Sequence, residues 1–177
     1  MADIFCNAPL IQGINWVKEG IQIEKERIII SYPDSFGENK VAAFAEGNEN
    51  SVTAKDNCGI ISQFCNNNFL VWSETHNHTG SDGILLFSEQ DLMRKKEDPP
   101  PFISNIILKT TDGKTHKIKI LKDKAYINVI NTEGLFDEVN SLIDGNNEVK
   151  DKEKYNAAVL KIIEFLKGED LIEYTIE

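Results

Sequence analysis

The chain has 177 residues and a mass of 20.0 kDa, close to the size of one compact domain. Apolar residues make up 41% of it, enough for a core that buries roughly 70% of the unfolded surface without any metal or disulfide staple. Nineteen basic side chains against 29 acidic ones leave a formal charge of −10, which excludes a general nucleic-acid binder and disfavours adhesion to anionic membranes.

No apolar run approaches the roughly 20 residues that a membrane-spanning helix requires. The N-terminus has neither a basic n-region nor a long apolar h-region, so no secretory signal is read there. The three cysteines, Cys6, Cys58 and Cys65, contain no C-x-x-C spacing. They read as three reduced structural thiols, and the chain as cytoplasmic.

Taken in order, the first two-thirds read as strands. Residues 21–24 and 27–32 flank a charged turn, and 33–37 close the second run with turn chemistry. Residues 41–45 form a short apolar strand. Residues 59–65 and 69–73 flank Asn66, Asn67 and Asn68, which predicts a hairpin, and 83–87 give a further strand. The clearest hairpin joins 102–109 to 115–121 through Asp112-Gly113, with His116, Ile118 and Ile120 on one face and Lys117 and Lys119 on the other. Residues 125–130 read as another strand.

The period then changes. Thr132 is placed to N-cap a helix bearing Leu135, Phe136, Val139, Leu142 and Ile143, ending at Asp144-Gly145. A second helix, from about 151 to 167, aligns Tyr155, Val159, Ile162, Ile163 and Leu166, and Gly168 stops it. Residues 171–176 suggest a last strand. The fold class is therefore α+β, a mainly antiparallel sheet followed by two C-terminal helices. The order of elements resembles that of pleckstrin-homology-like barrels, which implies a closed barrel or strongly curved sheet. The stretch Pro99-Pro100-Pro101 is a stiff spacer that would divide a β-rich part, 1–98, from the hairpin, strand and helices of 102–177, within a single domain spanning 1–177.

Two of the three histidines lie in Ser73–Gly83. His76 and His78, one residue apart, point the same way along a strand and are candidate metal ligands, with Glu74 or Asp82 as a hard third ligand. The competing reading is a polar turn marked by Gly80 and Gly83. Residues Glu74 to His78 resemble the Glu-Thr-His-Asn-His signature of phosphoribosylformylglycinamidine synthases. That family continues with a proline and a glycine-rich phosphate loop where this chain has Thr79 and a strand, so no role is carried over. There is no G-x-S-x-G elbow and no phosphate-binding glycine motif. A Cys–His pair would have to join Cys58 or Cys65 to His76. No cofactor is expected.

Charge is uneven. Residues 131–177 carry twelve acidic side chains against five basic ones, whereas Lys109, Lys114, Lys117, Lys119, Lys122 and Lys124 make the hairpin basic. The sequence thus points first to a small non-enzymatic inhibitor or immunity-type module that masks a basic protein partner, through Glu133, Asp137, Glu138, Asp144 and Glu148. A lipid- or peptide-binding domain using the hairpin lysines is the second reading. A metal-binding module or metal-dependent hydrolase using His76 and His78 is the third. For the first, rim charges act chiefly on association rate. Reversing Asp137 and Glu138 should slow association with a basic partner and flatten its salt dependence in stopped-flow mixing, leaving dissociation unchanged.

Overall fold

In the computed structural model, which describes residues 4–64, 66–67, 70–81, 83–93 and 103–177, six strands form one open sheet. They are β1 (Arg27–Pro33), β2 (Asn39–Glu46), β3 (Trp72–Asn77), β4 (Ile103–Lys109), β5 (Thr115–Ile120) and β6 (Ile172–Ile176). Their order is β2-β1-β3-β4-β5-β6, and every neighbouring pair is antiparallel except β3 with β4. The sheet does not close, so the barrel expectation is corrected. Strands from both sides of residues 97–101 share it, while Pro99, Pro100 and Pro101 themselves lie outside the described residues.

Among the described residues six helices accompany the strands: α1 (Leu10–Gln22), α2 (Ile60–Phe64), α3 (Glu89–Leu92), α4 (Asp123–Ile130), α5 (Asp137–Ser141) and α6 (Lys152–Gly168). Helix α1 covers one face of the sheet, where Val17, Ile29 and Val41 are fully buried. It approaches closely because Gly13 has no side chain: a Cβ there would come within 2.8 Å of Val41 and 2.9 Å of Ile29. Arg27 fixes the start of β1 beneath this helix, with its guanidinium 4.6 Å above the Trp16 ring and Nε donating to Glu46 at 2.7 Å. The larger core lies on the opposite face. There Ile30, Trp72, Ile106, Leu108, Ile118 and Ile120 meet Tyr126, Ile130, Val159, Ile163 and Leu166 of the later helices.

Several expected strands are helical or irregular. Residues 21–22 end α1, whose buried Gly13, Val17 and Gly20 follow helical spacing. Residues 60–64 form α2, because Asp56 accepts the backbone N–H groups of Ile61 and Ser62, so the asparagine hairpin does not form. Cys65, Asn68 and Phe69 lie outside the described residues. Residues 125–130 belong to α4, which buries Tyr126 and Ile130 one turn apart. No strand covers 83–87. The helix expected from Thr132 is reduced to α5, since Gly134 adopts φ +87 and Thr132 Oγ1 instead donates to the Asn128 carbonyl. The hairpin of β4 and β5, helix α6 and strand β6 agree with the sequence reading, and Asp151 is the α6 N-cap.

The cysteine expectation is also corrected: Cys6 and Cys58 form a disulfide across 52 residues. It joins the segment whose Asn7 and Ala8 pair with Val41 of β2 to the loop whose Asn57 side chain brackets Phe44, so both covers of this edge strand are linked. A loop of that length restricts the unfolded chain by about 4 kcal/mol. Thiol titration of the unreduced, denatured protein should find one free thiol per chain. Replacing Cys6 and Cys58 by Ser should lower the unfolding free energy in denaturant by up to that amount.

Candidate metal centre

The segment read as a possible polar turn is strand in its first part, up to the end of β3 at Asn77 in the interior of the sheet, and turn around Gly80 and Ser81, where the Gly83 N–H donates to the Thr79 carbonyl. The register of β3 pairs His76 with Ile28 on one side and with Leu108 on the other. Side chains alternate along a strand, so Glu74 and His76 point into the larger core while Thr75 and Asn77 face α1. Asn77 is held there, donating to the Lys25 carbonyl and accepting from the Arg27 N–H. His78 follows the strand end, anchored by its N–H to the Lys109 carbonyl. Both imidazoles are almost wholly buried, at 3% and 4% exposure.

A third side chain joins them from α3. His76 Nε2 lies 3.2 Å from Asp91 Oδ1, and His78 Nε2 lies 3.5 Å from Asp91 Oδ2. Asp91 is aimed by a capping box: Ser88 Oγ accepts from the Asp91 N–H, and the Ser88 N–H donates to Asp91 Oδ2 at 2.7 Å. The remaining ring nitrogens face acceptors. His76 Nδ1 is 3.3 Å from Glu74 Oε1, and His78 Nδ1 is 3.1 Å from the Ile84 carbonyl. A carbonyl can only accept, so His78 Nδ1 carries a proton and the ring is held with Nε2 toward Asp91.

The carboxylates approach His76 at ion-pair distances but off the N–H directions, and neither of its ring nitrogens makes a well-directed hydrogen bond. Two ligands each about 2.0–2.1 Å from a tetrahedral ion lie roughly 3.3 Å apart, close to the 3.2 and 3.5 Å that separate each histidine Nε2 from an Asp91 oxygen. One ligand atom from each of His76, His78 and Asp91 fits within 4.8 Å of the others. Among the described residues this is a two-histidine, one-carboxylate set, with Glu74 and the Ile84 carbonyl placed as the outer partners that orient ligating imidazoles.

Of the two acids that the sequence offered as third ligand, Glu74 thus takes an outer place and Asp82 lies outside the described residues. Asp91 was missed. Its signal was present as Ser88-x-x-Asp91, a capping-box spacing ten residues beyond His78. A second carboxylate missed by sequence reasoning is Glu26, 6% exposed just before β1. It stands two residues before Ile28, the register partner of His76. His116 does not join the cluster; its Nδ1 lies 2.8 Å from the Tyr174 hydroxyl. Cys58 is committed to its disulfide, so it forms no pair with His76.

The acidic residues expected to bind a partner do not form one helical face. Glu133 precedes α5, Asp137 and Glu138 open it, and Asp144 and Glu148 lie beyond it. Glu138 pairs with Lys161 at 2.9 Å, and Asp144 Oδ1 accepts the N–H groups of Asn146 and Glu148. Among the hairpin lysines, Lys117 pairs with Glu177 at 2.7 Å and Lys109 donates to Thr115. Two surface hollows, of about 650 and 270 Å³, adjoin the two ends of the turn between β1 and β2, lined by Leu10 and Lys40 in one and by Tyr32 and Phe64 in the other. Neither includes a residue of the histidine cluster.

Comparison of the chain with models of known protein families, with curated proteins and with solved structures found no match.

Burial alone would lower the His76 pKa, but the Asp91 and Glu74 carboxylates outweigh it and raise the metal-free imidazole to about 10. Burial would likewise raise Asp91, and the two histidines instead hold it well below the ordinary carboxylate range. A raised histidine pKa contributes stability that is complete below the unfolded value near 6.5 and is lost as pH rises through the folded value. Metal-stripped protein should therefore keep the protonated His76 signal in NMR past pH 8. Its urea midpoint should fall between pH 7 and 10.

Proposed function

We propose that the protein is a metal-dependent hydrolase in which His76, His78 and Asp91 hold one divalent transition ion. The observation that carries this reading is the convergence of both Nε2 atoms on one carboxylate while both Nδ1 atoms face outer acceptors. Nitrogen ligands with one carboxylate suit zinc, and three protein ligands leave a fourth position for water or substrate. An ion held there supplies Lewis acidity and brings the pKa of a bound water near 7. Glu26, buried two residues before the register partner of His76, is the carboxylate we assign to take the proton from the attacking water and pass it to the leaving group.

The reaction class is hydrolysis of an ester or amide bond: water's oxygen bonds to the carbonyl carbon, the bond to the leaving group breaks, and the leaving group departs protonated. The net charge of −10 favours a basic polypeptide as substrate or partner. This reading stands ahead of the non-enzymatic inhibitor because the acidic residues invoked for docking are dispersed and partly engaged, whereas the histidine cluster converges. The Cys6–Cys58 disulfide supports an oxidising compartment over the cytoplasm, and no helix among the described residues is long and apolar enough to cross a membrane.

Elemental analysis of untagged protein dialysed against zinc should find about one ion per chain. Uptake should vanish in His78→Ala and Asp91→Ala. Glu26→Gln should retain the ion and lower turnover of a basic peptide library by roughly 100-fold or more. A folded wild-type protein that takes up no zinc would rule out the assignment.

A further inference from the structure

The carboxylate that completes the cluster sits on a helix too short to hold itself in place. Helix α3 has four residues, a single turn, and isolated turns are not stable in water. A metal ligand, by contrast, must be fixed to within about 0.5 Å. The capping box with Ser88 sets the orientation of Asp91 within this turn but does not fasten the turn to the sheet that carries His76 and His78.

Two buried tyrosines supply that attachment. At the N-terminal end, the Glu89 N–H donates to the Tyr155 hydroxyl at 2.9 Å; at the C-terminal end, the Tyr126 hydroxyl donates to the Leu92 carbonyl at 2.6 Å. Tyr126 comes from α4 and is 0% exposed, and Tyr155 comes from α6 and is 2% exposed. The two bonds bracket Asp91 at its second residue before and its next residue after, and Leu92 is itself fully buried.

We infer that Tyr126 and Tyr155 are positioning residues for the metal ligand Asp91, through which the C-terminal helices set the affinity of the site. The inference rests on the metal reading above. Outer-shell partners of this kind change metal affinity by roughly 10–100-fold when removed. The tyrosine rings still fill the core when only the hydroxyl is deleted, so phenylalanine isolates the hydrogen bond from the packing.

Zinc affinity by competition with a chromophoric chelator, and the visible d–d spectrum of the cobalt(II)-loaded protein, should be compared for wild type, Tyr126→Phe and Tyr155→Phe. Tyr32→Phe is the control, because it loses a buried hydroxyl, bonded to Asn7, at the far end of β1. We expect each of the first two variants to weaken zinc binding by roughly 10–100-fold and to alter the cobalt spectrum. Tyr32→Phe should match wild type in both, whatever it does to thermal stability. Folded Tyr126→Phe and Tyr155→Phe proteins with wild-type affinity and spectrum would overturn the inference. Failure of both to fold would overturn it as well, by making the hydroxyls requirements of the core instead of the ligand. Wild-type protein that binds neither ion would remove the metal reading itself, which separates the two failures.

Discussion

Burying three ionisable side chains against one another is the constraint around which this fold is arranged. Placing Glu74, His76 and Asp91 in a low-dielectric interior costs several kcal/mol per uncompensated charge, so each must be compensated by the others or by an ion. Strand β3 carries two of the three on alternate residues, and its central position in the sheet buries both. The compensation must therefore come from above the sheet. That is where the one-turn helix with Asp91 lies, fastened by tyrosines from the helices that cover the core.

Arrangement on the other face follows from the same strand. Asn77 and Arg27 occupy the positions that alternate with the cluster, and they join β1, β3 and α1 through directed hydrogen bonds. A one-residue slip of β1 against β3 would exchange the two faces, placing Arg27 among apolar side chains and Ile28 against α1. The Trp16 stacking contact and the Glu46 pair oppose such a slip, so an interaction remote from the histidines protects their register.

How much of this could be read beforehand varied with the kind of signal. The hairpin through Asp112-Gly113 and the stripe on α6 were legible because local turn chemistry and helical spacing agree with the tertiary structure. Residues 125–130 were not, because a β-branched, aromatic run has strand propensity and only packing against the sheet makes it helical. The short α2 was hidden for a related reason, its deciding feature being a cap from Asp56 rather than an apolar period. At the site, the spacing of His76 and His78 was visible, but the partner Asp91 was not, since it depends on where α3 docks. Glu26 is a single acidic residue in a charged stretch, Lys25-Glu26-Arg27, and nothing local distinguishes it from a solvated neighbour.

The one parallel pairing in the sheet has a consequence for how the site comes into being. Antiparallel neighbours can be joined by a tight turn, but parallel strands require a long crossover, and the crossover from β3 to β4 is the stretch that carries His78, Ser88 and Asp91. Loop-closure entropy opposes that step, so it is formed after the local hairpins. The ligands therefore converge only once the topology is nearly complete. An ion bound by them would hold shut a part of the molecule closed over a long loop, and its weight would fall on the rate of unfolding more than on the rate of folding.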